Sequence, residues 1–334
     1  MMRHVVAMAL LATTTGAPAQ TPPTATLNSR LTGDLAPTHD PVIAREGDTY
    51  YVFGTGLTVR TSKDLVRWIA GKPLLDNKLP NWAKKAVPGA KGMWAPDVAF
   101  VNGRWRLYYA VSTFGSNRSA IGLATSPTLN PAAPGYGWRD EGLVVASSPA
   151  SDFNAIDANF VIDREGRHWL SLGSFWSGLK LFALDANTGK PADPAARPYA
   201  IAQRPAPPGA PAPVEAPFIL DHGGYYWLFA SYDYCCKGAA STYYTVVGRS
   251  EAITGPYVGK HGSPMMQGGG TVFLRADLPE KERFRGPGHV GFLHDKDGTD
   301  YVAYHAYDRD RGGVPTLRIA PVSWGADGWP KAER

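Results

Sequence analysis

The chain has 334 residues, with 34 lysines and arginines against 29 acidic residues and a net charge of +5. The basic residues are scattered rather than run together, which excludes the dense cationic face of a nucleic-acid binder; the surplus reads as ordinary solubility charge or as suited to an acidic polysaccharide neighbourhood. With 10 tryptophans, 16 tyrosines and 37 glycines, and no sustained apolar stripe at helical spacing, an all-β class is expected.

Met1 to Gln20 carries Arg3 and His4, then an apolar run from Val5 to Ala12, then Ala17-Pro18-Ala19. A basic start, a short apolar core and a small-x-small site read as a secretory signal peptide. No later stretch approaches the roughly 20 apolar residues of a membrane span. The expectation is an exported, periplasmic or extracellular protein, monomeric, with no membrane or nucleic-acid partner. Residues 21–36, rich in Thr, Pro and Ala, are expected to form a flexible lead-in, and residues 37–334 a single domain.

From His39 onward one pattern is written five times: a polar residue, an apolar strand, a short polar turn, and a second apolar strand. Asp40-Pro41-Val42-Ile43 leads to Tyr50-Tyr51-Val52-Phe53, Asp97-Val98-Ala99-Phe100 to Trp105-Arg106-Leu107-Tyr108, and Asp157-Ala158-Asn159-Phe160 to His168-Trp169-Leu170. Glu215-Ala216-Pro217-Phe218 leads to Tyr225-Tyr226-Trp227-Leu228, and His289-Val290-Gly291-Phe292 to Asp300-Tyr301-Val302. The leading residues are 57, 60, 58 and 74 positions apart. Repeats of this size built only from strands predict a radial array of small sheets, a five-bladed β-propeller. The first strand of each unit would line the central channel, so Asp40, Asp97, Asp157, Glu215 and His289 would converge on one axis. Carboxylates gathered in a cleft shift one another's pKa values and supply acid and base. For a single copy, an acid that merely caps a turn explains the position equally well.

Within the first unit, Asp64-Leu65-Val66-Arg67-Trp68 reads as a turn acid and a tryptophan packed between blades. In the second, Trp94 is either a platform for the C–H face of a sugar ring or blade packing. Gly115 lies in a loop, and Ile121-Gly122-Leu123-Ala124 forms a further strand. In the third, Asn154 and Asn159 flank Asp157 with hydrogen-bonding amides, and Ser174, Phe175 and Trp176 form a rim that pairs a hydroxyl with aromatic rings. The candidate sugar-contacting set is therefore Trp94, Gly115, Asn154, Asn159, Ser174, Phe175 and Trp176. Pro191 to Pro213 reads as a surface loop. Cys235 and Cys236 are the two cysteines; they form either a vicinal disulfide or two free thiols under a loop, and no metal knuckle.

Together, His39-Asp40-Pro41, Met93-Trp94-Ala95-Pro96-Asp97, Asn154-Ala155-Ile156-Asp157, Gly173-Ser174-Phe175-Trp176, Val214-Glu215-Ala216-Pro217, Ser231-Tyr232-Asp233-Tyr234-Cys235-Cys236 and Gly286-Pro287-Gly288-His289 resemble the endo-1,5-α-L-arabinanases of glycoside hydrolase family 43. The resemblance runs in order from residue 39 to residue 307. It implies an inverting hydrolase on a five-bladed propeller, acting on plant cell-wall arabinan or arabino-oligosaccharides. It implies Asp40 as general base, Glu215 as general acid, and Asp157 as the carboxylate that holds the acid and raises its pKa. It also implies that His289 binds a cation with waters, usually calcium, in a bracing role. Inversion needs the acid and base about 6.5–9.5 Å apart with a water between base and sugar. Asp97 is read as structural, and His305 and Asp308 as either site-lining or packed. Exo-acting arabinanase or β-xylosidase/α-arabinofuranosidase activity is the alternative, and a non-catalytic carbohydrate-binding propeller a third reading.

Overall fold

The computed structural model describes residues 25–207, 210–276 and 282–334. The signal-peptide reading of Met1 to Gln20 lies outside the described residues. Five sheets, one of five strands and four of four, antiparallel except for one outer pair in the five-stranded sheet, follow one another along the described residues. Their first strands are Val42–Glu46, Trp94–Val101, Asn159–Ile162, Val214–His222 and Phe284–His294, the five segments predicted to lead each repeat. Each pairs with the next strand in sequence, and the sheet grows outward in chain order. The architecture is the predicted five-bladed β-propeller.

Aromatic and β-branched residues favour these pleated segments, and both faces of each blade are covered, so the strands lack simple alternation. Ser119–Ser126, for example, is buried at every position. The hydrophobic core is accordingly divided into five clusters, each filling the space between two neighbouring blades. Tyr51, Phe53 and Val59 of blade one pack with Val98, Leu107 and Tyr109 of blade two. Ile43, Tyr50 and Trp68 of blade one pack with Leu317 and Ile319 of blade five and so close the ring. Asp64-Leu65-Val66-Arg67-Trp68 is the structural device expected. Asp64 Oδ1 accepts the backbone N–H groups of Val66 and Arg67, and the buried Trp68 donates Nε1–H to the Leu65 carbonyl at 3.0 Å.

Two segments differ from expectation. The lead-in to residue 36 is built into the propeller from Leu27 onward. Leu27–Arg30 forms a helical turn against blade five, and Thr32–Gly33 pairs in parallel with Arg67–Trp68 at the outer edge of blade one. Asn28 anchors this strap: its Oδ1 accepts Ile319 N–H at 3.0 Å and its Nδ2 donates to Tyr304 Oη at 3.1 Å. Composition gave no hint of it, because the ordering comes from an interblade seam far away in sequence. Likewise the Pro-rich stretch read as a surface loop contains Tyr199–Ala202, which pairs with Leu179–Leu184 as the outer strand of blade three.

Candidate active site

Every inner strand carries, just before its regular ladder, a non-glycine residue in left-handed backbone: Asp40, Ala95, Asp157, Ala216 and His289, with φ from 41 to 58°. Such conformations are strained for residues with a Cβ, and they persist where surrounding structure holds them. Here they break the pleat at one end of the channel and re-aim the neighbouring side chains. Two residues further on, all five strands resume a regular ladder, with pairs Val42/Phe53, Asp97/Tyr108, Asn159/Ser171, Phe218/Phe229 and Gly291/Ala303.

This common register sorts the expected ring of polar residues. Asp40, Asp157 and His289 are the left-handed residues themselves, and Glu215 is one position before. Asp97 is two positions after, level with Asn159, so it lies deeper and does not join the mouth of the channel. In blade two Ala95-Pro96 makes the turn, and Trp94 takes the level that Glu215 has in blade four. Asp97 is instead a brace, as its structural reading held. Its Oδ2 accepts Phe160 N–H at 2.7 Å and Asn159 Nδ2 at 3.3 Å, and burial pushes its carboxyl up to about 7.

The left-handed positions are gripped from the neighbouring blade. Ala95 N–H donates to Thr55 Oγ1 at 3.0 Å, His289 N–H to Ser231 Oγ at 2.9 Å, and Asp40 N–H to His305 Nδ1 at 3.2 Å. Thr55, Ser231 and His305 occupy one position, two residues beyond the ladder partner on the second strand. His305 belongs to the site; Asp308 does not, since it pairs with Arg283 and caps the turn at Arg309–Arg311.

Asp40 is embedded among donors. Thr55 Oγ1 donates to its Oδ2, while His39 Nδ1 at 2.8 Å and His289 Nδ1 at 3.1 Å face its Oδ1. Burial pushes this carboxyl up, but the two imidazoles outweigh it and hold Asp40 well below the usual carboxylate range. Burial pushes His289 down, yet Asp40, Asp157 and Glu215 together raise it to about 9. His305 is buried beside His39 and is held well below the usual histidine range, hence neutral. Because its Nδ1 accepts from Asp40 N–H, its proton sits on Nε2, a buried atom with no protein partner among the described residues.

Glu215 and Asp157 move the other way. Glu215 is raised, chiefly by burial with the Asp40 charge adding to it, against hydrogen bonds from Ser174 and Tyr243 that favour the carboxylate. Ser174 Oγ donates to Oε2 at 2.7 Å. Tyr243 reaches Glu215 across Gly288, where a Cβ would lie 2.3 Å from the ring, so only glycine leaves it room. Asp157 is raised well above its ordinary value by burial and by the charges of Glu215 and Asp40. It accepts the Ala216 N–H, which favours the carboxylate but does not offset the burial. One cluster thus holds an ionised carboxylate and a proton-bearing carboxyl pair, the division that acid and base work requires.

The candidate sugar contacts divide. Asn154 and Asn159 are both buried and both tie blades together: Asn154 Oδ1 accepts from Ser119 Oγ at 2.6 Å, and Asn159 links Asp97 to Ile219 N–H through both atoms of its amide. Asn159 therefore serves the blade seam with its whole side chain. Ser174 serves Glu215. Phe175 and Trp176 sit in left-handed backbone at the rim, and Trp176 is 39% exposed. Trp94 is half-buried and Gly115 lies in an exposed loop beside Phe114, which is 86% exposed and was not singled out. Thr55 and Tyr243 were missed too. The pairs Gly54-Thr55 and Gly173-Ser174, each closing a second strand, were the available signal for Thr55.

The surroundings of His289 suit a cation in charge, since three buried carboxyls face one imidazole. They do not suit a caged one. Among the described residues, three ligand atoms come together only for His39 with Asp40 and His305, and for His39 with the two cysteines, and His289 is in neither group. Calcium in a protein cage takes about six to eight oxygens. The residues therefore fit an ion that keeps most of its water. Cys235 and Cys236 are joined in a vicinal disulfide and are not ligands.

Residues 36–330 match the model of glycosyl hydrolases family 43. The chain is 43% identical to an extracellular exo-α-(1→5)-L-arabinofuranosidase of Cellvibrio japonicus, over 88% of this chain and 86% of that one. It is 41% identical to extracellular endo-α-(1→5)-L-arabinanase 1 of Bacillus subtilis, over 87% and 86%. The structure superposes on a family 43 endo-arabinanase from Bacillus licheniformis with a TM-score of 0.80, at 46% identity, covering 90% of this chain and 99% of that one. A matching family model over nearly all described residues, close relatives over most of their length, and a propeller whose channel mouth holds the expected carboxylates agree: this chain belongs to glycosyl hydrolase family 43.

Proposed function

We propose that the protein is an inverting glycoside hydrolase that cleaves internal α-1,5-L-arabinofuranosidic bonds of arabinan. The observation that carries this is the opposite displacement of the carboxyls: Asp40 is held ionised by His39 and His289, while Glu215 and Asp157 are pushed toward their protonated forms. Asp40 takes a proton from a water as that water attacks the anomeric carbon, and Glu215 gives a proton to the departing glycosidic oxygen on the opposite face. Asp157 sits against Ala216 N–H, next to the acid, where negative charge on either carboxyl opposes ionisation of the other.

Substrate class and mode of cleavage follow the relatives whose names specify α-1,5-linked arabinan, one endo-acting and one exo-acting. The exposed Phe114 and Trp176, in loops of blades two and three at the end of the channel that holds the acid and base, favour the endo reading. They provide platforms for a polymer that continues past the cleaved bond. Relatives named as extracellular support export, which the N-terminal pattern also suggests. Among the described residues no helix is long and apolar enough to cross a membrane. A largely hydrated calcium ion beside His289 would add positive charge to the channel, and no step of the hydrolysis passes through it.

The test is the product profile on linear arabinan for the wild type and for folded Glu215→Ala and Asp40→Ala variants. A spread of arabino-oligosaccharides from the wild type, lost in both variants, is expected. Arabinose alone would establish the exo reading, and full activity in either variant would overturn the acid and base assignment.

A further inference from the structure

The loop carrying the cystine reaches from blade four toward the base. Cys236 N–H donates to Tyr307 Oη at 2.8 Å, Tyr307 Oη lies 2.8 Å from His39 Nε2, and His39 Nδ1 lies 2.8 Å from Asp40 Oδ1. The ionised carboxylate can only accept, so His39 carries a proton on Nδ1. In the neutral ring Nε2 accepts from the Tyr307 hydroxyl, and in either state of the ring the oxygen of that hydroxyl is the acceptor for Cys236 N–H. In the neutral state every donor points inward, toward Asp40. His39 is also stacked on His305 with ring centroids 4.0 Å apart, so its plane is set from the side as well as from its far nitrogen.

We propose that His39 and Tyr307 are positioning residues for the base, and that the vicinal disulfide of Cys235 and Cys236 anchors their outer end. Three blades contribute: blade four the disulfide loop, blade five Tyr307, blade one His39 and Asp40. The covalent ring restricts the backbone at Cys236, so the N–H that fixes Tyr307 keeps one direction. Tyr307 in turn fixes the tautomer and tilt of His39, and His39 holds Asp40 Oδ1. With Oδ1 held there and Oδ2 held by Thr55, the carboxylate plane toward the attacking water is determined. A catalytic carboxylate is productive only within narrow angular limits, so the loss expected is one of turnover and not of substrate binding.

This inference rests on Asp40 being the base, and the experiment separates the two. Kinetics on a linear arabino-oligosaccharide are measured for the wild type, Asp40→Ala, Tyr307→Phe, His39→Asn, Cys235→Ser with Cys236→Ser, and the triple combination with Tyr307→Phe. The asparagine amide can replace the Nδ1 donor but cannot reach Tyr307. Tyr307→Phe and His39→Asn are each expected to lower kcat roughly tenfold with KM little changed. The cysteine pair variant should lower kcat in the same way, and the triple variant should be no slower than Tyr307→Phe alone. Wild-type kcat in His39→Asn and Tyr307→Phe, with Asp40→Ala inactive, overturns the relay and leaves the base reading intact. Losses that multiply in the triple variant overturn the link from the disulfide to Tyr307. An active Asp40→Ala overturns the base reading itself.

Discussion

Replacing Ser174 with alanine isolates the control of the acid. Its hydroxyl donates to Glu215 Oε2 at 2.7 Å in a buried setting, and nothing else about the carboxyl changes on substitution. A hydrogen bond to a charged group contributes about 1.5–3 kcal/mol and one to a neutral group about 0.5–1.5 kcal/mol. The difference, about 1–1.5 kcal/mol, is the preference of this donor for the ionised form, and it corresponds to about one pH unit. Glu215 must be protonated to act, so activity falls as pH rises through its titration. Removing the donor disfavours the carboxylate, and the alkaline limb of kcat/KM against pH should move up by about one pH unit. The assay is release of reducing ends from linear arabino-oligosaccharides across pH, with folding checked by circular dichroism. Tyr243→Phe should move the limb in the same direction, since Tyr243 also favours the ionised acid. A limb that stays in place or moves to lower pH in both folded variants would refute Glu215 as the group that must hold the proton.

Asp157→Asn should abolish activity yet raise the melting temperature at neutral and alkaline pH. A carboxyl raised by burial and like charge favours folding in its protonated form, so its contribution is complete below the unfolded pKa of about 4 and is lost as pH rises through the folded value. Asparagine cannot ionise, so the gain should vanish in acid. Asn159→Ala should destabilise by about 2–4 kcal/mol in urea unfolding, because it leaves Ile219 N–H without its acceptor and removes one of the donors to Asp97. KM should not change, whereas a raised KM at unchanged stability would restore Asn159 as a sugar contact. Asn28→Ala should cost about 3 kcal/mol by releasing the strap from blade five, with turnover per folded molecule unaffected. Treatment with EDTA should lower both melting temperature and turnover, and calcium should restore them. No response to chelation, with calorimetry showing no calcium binding, would remove the ion from His289.

The repeat of apolar strands was legible in the sequence, since strand propensity and the spacing of the leading residues are local properties. The identity of Asp40, Asp157 and Glu215 as candidates was legible for the same reason. Their separate roles were legible only through the resemblance to family 43. The left-handed turns were not visible, because Asp40, Ala95, Asp157, Ala216 and His289 share no residue type. Three of them are gripped from the preceding blade, Ala95 by Thr55, His289 by Ser231 and Asp40 by His305. Asn159 shows how sequence adjacency misleads: two residues from a candidate catalytic carboxylate, its amide is spent on an interblade seam.

Five strand-rich units, the polar residue that opens each, and the apolar surfaces that must be covered on both faces follow from the sequence alone, because each depends only on residues close together in the chain. Which carboxyl keeps its charge was decided by tertiary structure. That choice turns on the donors the fold sets around each group: His289 from blade five and the adjoining His39 onto Asp40, Ser174 from blade three and Tyr243 onto Glu215, and the Ala216 N–H onto Asp157. In a buried cluster the balance of desolvation against such donors sets each pKa, and that balance exists only once the ring has closed.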